Sequence, residues 1–225
     1  HHHELIPPAE TPVAIGGTMT SYVDHNYFAE LKKAVTREVC RNNRCGYNPD
    51  SMCYTITIWG DLYTIDCANA KISRNPSTSP PPHEFFYLFI IYYLLLAQDI
   101  QQGGEWISEK DFPGGATFFR GPHLLPTDRI SNRFGNDIQA FAEYCQGLGG
   151  KALDLADAAF SFAITREITI AVLYWVGDDD FPAEAKILYD KAIIKALPLD
   201  IVFALAFEVC ERLGASVGKN PEQGL

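Results

Sequence analysis

The feature that most constrains this chain is an unbroken apolar run over residues 85–97, thirteen positions without a charge. A run of that length is too short to span a bilayer, which takes about 20 apolar residues. It must therefore be buried on every side by protein, as a helix hydrophobic all round is. The spacing predicts a helix over residues 84–101, stopped by Gly103-Gly104. A chain of 225 residues with 47% hydrophobic side chains can bury such an element.

Around it the chain alternates two periodicities. Asp24 caps an expected helix in which Phe28, Leu31, Val35 and Val39 form one apolar stripe, ending near Asn42-Asn43. Residues 46–50 read as loop. Two β-rich runs follow, residues 53–59 and 62–67, split by Gly60-Asp61 in the manner of a tight hairpin. Tyr54, Ile56 and Ile58 share one face, and Tyr63, Ile65 and Cys67 share one on the partner. Residues 73–82, with Pro76 and Pro80-Pro81-Pro82, read as a surface crossing.

Residues 104–126 form a long irregular stretch rich in Gly, Pro and aromatics. Ile138, Phe141, Ala142, Cys145 and Leu148 mark an amphipathic helix, and residues 160–164 and 168–176 read as strands. Asp180 and Pro182 together predict a helix start, and Asp200 is expected to cap a last helix over residues 201–213. The fold class expected is α+β, a mostly antiparallel sheet of about four or five strands with helices packed on it. Residues 1–18, opening His1-His2-His3, read as the remainder of an expression tag. The natural start is placed at Met19, and residues 19–225 are taken as a single domain.

Acidic side chains outnumber basic ones, 28 to 18, for a formal charge of -10. That balance argues against nucleic acid or an anionic membrane as partner. Six cysteines without a secretory leader after Met19 point to a reducing, cytoplasmic setting.

The second half carries a set of short patterns: Gly104-Glu105-Trp106-Ile107-Ser108, Phe112-Pro113-Gly114-Gly115, Leu148-Gly149-Gly150 and Asp157-Ala158-Ala159-Phe160. The most specific is Trp175-Val176-Gly177-Asp178-Asp179-Asp180-Phe181-Pro182, followed by Ile187-Leu188-Tyr189-Asp190. With these, residues 28–213 resemble the bacterial and archaeal family called Domain of Unknown Function 3786. The resemblance implies no reaction. Members of that family come mainly from anaerobes, and some are joined to iron–sulfur domains of the kind found in corrinoid iron–sulfur proteins. It therefore implies a link to corrinoid or one-carbon metabolism. This chain has no Cys-x-x-Cys pair, and no iron–sulfur cluster is expected.

Three groups of residues could carry chemistry. Cys40, Cys45, Cys53 and Cys67 could bind zinc, but only the first two are close in sequence, and buried unpaired cysteines are the expectation. Asp178, Asp179 and Asp180, with Glu105 or Asp157, could serve a metal- or carboxylate-dependent hydrolase or lyase. The blander expectation is that this run caps a helix, makes an ion pair and is otherwise solvated. His123 lies in the aromatic loop, and an imidazole is a common axial ligand of tetrapyrrole metals. The leading expectation is a carrier or accessory protein for a planar tetrapyrrole, a corrinoid (cobalamin) with haem as the alternative. Its site would be His123, Trp106, Phe118, Phe119, Arg120 and Phe181, and a corrinoid-dependent protein its partner. An interaction module with an acidic face is a third reading.

Overall fold

The computed structural model describes residues 23–214 except 78, 98 and 99. The tag over residues 1–18 and the start at Met19 lie outside the described residues. The α+β class holds, with two antiparallel sheets in place of one.

The first helix, α1 (His25–Lys33), is capped by the Asp24 carboxylate, which accepts from the Asn26 N–H at 2.9 Å. It buries Tyr27, Phe28 and Leu31. The expected continuous helix breaks at Ala34, whose ψ of 148° is extended, and resumes as α2 (Thr36–Val39). The break leaves Val35 exposed while Val39 still reaches the core, which a single straight stripe would not allow.

Four strands follow: β1 (Gly46–Asn48), β2 (Cys53–Ile58), β3 (Asp61–Asp66) and β4 (Lys71–Arg74), paired in chain order. Residues 46–50, expected as loop, thus contribute a short edge strand, and the expected surface crossing begins inside β4. Ile58 pairs with Asp61, so the turn residues are Trp59 and Gly60, one position earlier than expected. Both have positive φ, +46° and +83°, the backbone of the mirror-image turn that matches strand twist. Tyr54, Ile56, Ile58, Tyr63, Ile65 and Cys67 all face the core.

The apolar run forms α3 (Phe85–Leu95), in which every side chain but Tyr92 and Leu95 is buried. It ends at Leu96, well short of residue 101. The Gly-rich stretch then supplies β5 (Trp106–Ile107), α4 (Gly115–Phe118) and two single turns. Two helices, α5 (Asp128–Phe134) and α6 (Ile138–Gly147), lead into β6 (Lys151–Leu153), β7 (Ala158–Ala163), β8 (Thr169–Trp175) and β9 (Glu184–Asp190). The strand order is β5-β9-β8-β7-β6.

The helix expected after Pro182 is strand β9 instead. Ala185, Ile187 and Tyr189 are buried, and Glu184 and Lys186 are exposed; this period of two is a strand's. The carboxylate of Asp178 accepts from the backbone N–H groups of Asp180 and Phe181, closing a hairpin loop where a helix cap was expected. The last helix, α7 (Leu199–Gly214), starts before Asp200, which lies buried in its first turn.

One hydrophobic core runs through both sheets, with α3 packed against α7 at its centre. Trp59 N–H donates to the Ile164 carbonyl at 2.7 Å and so ties the first hairpin to the second sheet. Among the described residues no helix is long and apolar enough to cross a membrane.

Candidate functional site

The residues expected from sequence separate in space. Phe118 and His123 stack face to face, ring centres 4.2 Å apart and planes 12° apart, and His123 meets Phe203 of α7 edge-on at 5.2 Å. Phe119 is buried beside Phe118. Trp106 instead pairs with Asp190 and packs with Leu153, Trp175 and Leu188 around the small cluster Ala159, Ala171 and Leu173. Arg120 is exposed, its Nε–H given to the Thr117 carbonyl. Phe181 is 71% exposed in the β8–β9 loop. None of the six lines either cavity described below.

The carboxylates also serve local structure. The two backbone N–H groups held by Asp178 depress its pKa. Asp157 accepts from the Val176 N–H at 2.9 Å, and Glu105 pairs with Lys191 at 3.4 Å. Among the described residues no group of three His, Cys, Asp or Glu could hold a metal ion.

Cys40 and Cys45 are joined in a disulfide, with Cα atoms 4.9 Å apart, where unpaired thiols were expected. Cys67 is a buried free thiol, as the sequence suggested, and Cys53 is free but only half-buried; Cys145 and Cys210 are also buried free thiols. Burial pushes Cys67 up to about 11 and Cys145 up to about 12, so neither is a ready thiolate.

The arrangement with the most chemistry is a cleft that the sequence reading missed. It lies between the β2–β3 turn, the proline strap at residues 79–82, the end of α6 and the outer turns of α7, and encloses about 360 Å³. Its floor is the i,i+4 pair Glu208 and Arg212 on α7, with side chains only 3% and 15% exposed. Both Nε and Nη2 of Arg212 donate to Glu208 Oε2, at 3.3 and 3.2 Å. Glu208 Oε1 accepts the His83 backbone N–H at 2.7 Å, which anchors the entrance to α3. Arg212 Nη1 donates to the Trp59 carbonyl, and the Tyr144 hydroxyl donates to the Arg212 carbonyl.

The strap is held from the other side. Arg74 donates to the Ser79 and Pro80 carbonyls at 2.7 and 2.9 Å and pairs with Asp61 at 3.6 Å. One wall is thus rigid proline, the opposite wall is the Trp59 turn, and the polar groups lie at the bottom.

Burial raises the Glu208 pKa to about 7; Arg212 and the His83 N–H pull the other way without restoring an ordinary value. The same burial, with Arg129 second, lowers His83 to about 4. The His83 ring is neutral at pH 7 and takes the Phe85 N–H on Nδ1. A carboxyl near neutrality on the wall of a cleft can both give and accept a proton.

In fold and site this is an antiparallel α+β protein with a buried glutamate on its last helix at the floor of a cleft. Residues 36–212 match the family described as Domain of unknown function (DUF3786), and the chain belongs to that family. No curated protein and no solved structure matches it. The matched span holds the whole glutamate–arginine pair and the Trp59 turn.

Proposed function

We propose that this chain binds a small organic molecule in the Glu208–Arg212 cleft and that Glu208 exchanges a proton with it. The observation that carries this is a carboxyl 3% exposed, lining a cavity and held near neutral pKa by burial. The walls favour a ligand with an apolar flank, laid along Trp59 and the prolines. Its polar head would meet Glu208, Arg212 and Asp61. Arg212 then acts as a positioning residue, because its guanidinium holds Oε2 of the carboxylate by two hydrogen bonds.

The test is a ligand-observed NMR screen of small amides and heteroaromatic acids and bases, read together with the Trp59 indole N–H signal. Binders that shift that signal, and that lose affinity in Glu208→Gln, support the reading. A screen in which no binder moves the indole signal rejects it.

The corrinoid carrier is a separate proposal, and the flat Phe118–His123 stack in the Gly-rich loop is the observation in its favour. A saturable spectral change with hydroxocobalamin or haem, weakened by His123→Ala, supports it. Unchanged spectra at tens of micromolar dispose of it.

A further inference from the structure

A second cavity, of about 480 Å³, lies between β2 and the turn that joins β7 to β8, and it shares no lining residue with the cleft. Its charged lining is Arg44 and Arg166, and no Asp or Glu lines it. Arg44 reaches it from the loop closed by the Cys40–Cys45 disulfide, and Arg166 from the second sheet. Among the described residues neither guanidinium has a carboxylate partner within 4 Å. Arg44 lies 4.2 Å over the Tyr93 ring and gives one N–H to the Tyr93 carbonyl at 2.7 Å; its Nε is buried without an acceptor. Arg166 gives one N–H to the Asn42 carbonyl.

Glu167, next to Arg166 in the chain, accepts from the hydroxyls of two lining residues, Tyr93 and Thr165, through Oε2. Thr55 and Thr57 present hydroxyls from one face of β2. Gly46 keeps the approach to Thr55 open, since a Cβ there would lie 2.8 Å from the Thr55 hydroxyl oxygen. Two uncompensated guanidinium groups and a pair of hydroxyls around one polar cavity are the equipment for an oxyanion, because the planar fork of arginine matches phosphate and carboxylate alike. Arg44, with its Nε buried and without an acceptor, and the exposed Arg166 thus meet at one cavity that no acidic side chain lines.

We propose that this cavity is a binding site for a small molecule bearing a phosphate or carboxylate group, held by Arg44 and Arg166 with Thr55 and Thr57.

The full chain is titrated calorimetrically with inorganic phosphate and, separately, with acetate, at ionic strength fixed with sodium chloride. Saturable heat with either probe, weakened about tenfold or more in Arg166→Met, is the expected result, since a charge-assisted hydrogen bond contributes about 1.5–3 kcal/mol. Phosphate alone assigns the phosphate class, and acetate alone the carboxylate class. Arg44→Met should act in the same direction. If it does not fold, Arg166→Met and Thr55→Val decide, because Arg166 is exposed and Thr55 is half-buried on a strand, where valine is well tolerated. Absence of saturation with both probes, or an Arg166→Met variant that binds as well as the parent, overturns the proposal.

Discussion

The guanidinium carbon of Arg212 lies 4.1 Å from the centre of the Trp59 ring, and Trp59 holds that ring from a backbone with φ +46°. A non-glycine residue in the left-handed region costs roughly 1–2 kcal/mol. Trp59→Gly removes that cost and also removes a ring that is 7% exposed and packed on Phe162 at 5.4 Å. Truncation of a buried aromatic costs about 3–5 kcal/mol, so the variant should lose about 1–4 kcal/mol net. Urea unfolding measures it. A double-mutant cycle with Arg212→Met should return about 1–2 kcal/mol of coupling, the range for a desolvated cation over an indole.

Glu208 should be intolerant of truncation and tolerant of its amide. Glu208→Ala leaves Arg212 and the His83 N–H without their acceptor and should cost about 3–5 kcal/mol. Glu208→Gln keeps an acceptor for His83 and should cost no more than about half as much. Equal losses in denaturant melts would mean that hydrogen bonding at Oε1 contributes nothing.

Glu208 and His83 oppose each other in their dependence on pH. The folded carboxyl titrates at about 7 against an ordinary 4.5, so between those values the folded state holds more protons than the unfolded. Stability from Glu208 is therefore full below about 4.5, falls as pH rises to 7, and is flat above. The folded imidazole titrates at about 4 against an ordinary 6.5, so the unfolded state binds more protons between them, and that contribution rises with pH. In the overlap the two slopes offset. Glu208→Gln should steepen the loss of stability on acidification below 6.5. His83→Asn, whose side-chain oxygen can take the Phe85 N–H, should make stability decline from pH 4.5 to 7. Urea midpoints at half-unit pH steps report both slopes.

The Cys40–Cys45 bridge closes a short loop, with sequence separation 5. The entropy of closing such a loop in the unfolded chain corresponds to about 2 kcal/mol. Cys40→Ser with Cys45→Ser, or reduction with a trialkylphosphine, should lower the unfolding free energy by that amount. Thiol counting under native conditions before and after reduction verifies the bridge.

The parts of the fold that could be read in the sequence are those whose pattern has one meaning. The charge-free run became α3, and the alternation of residues 53–67 became β2 and β3, because burial on all sides or on one face leaves no other period. Strand β9 was hidden by Asp180 and Pro182, which together imitate a helix start. The alternation of Ala185, Ile187 and Tyr189 was the competing signal, and it won because those side chains fill the core. The glycine patterns proved structural. Gly114 has φ +76°, and a Cβ at Gly115 would strike the Glu109 carbonyl. The cleft was illegible for a different reason. A glutamate and an arginine four apart on a helix read as a surface pair, and only the turn 153 residues earlier in the chain, packed over them, makes them a floor.

Nearly every strand lies beside its neighbour in sequence, and β5 is the exception: Trp106 and Ile107 pair with Asp190 and Tyr189 after the rest of the second sheet has intervened. Local hairpins form early, and a pairing that must close a long stretch of chain forms late. During synthesis, then, the Gly-rich stretch that begins at β5 leaves the ribosome long before its docking partner exists. Its packing is complete only after β9 and α7 have been made, because β5 pairs with β9 and His123 packs against Phe203 of α7.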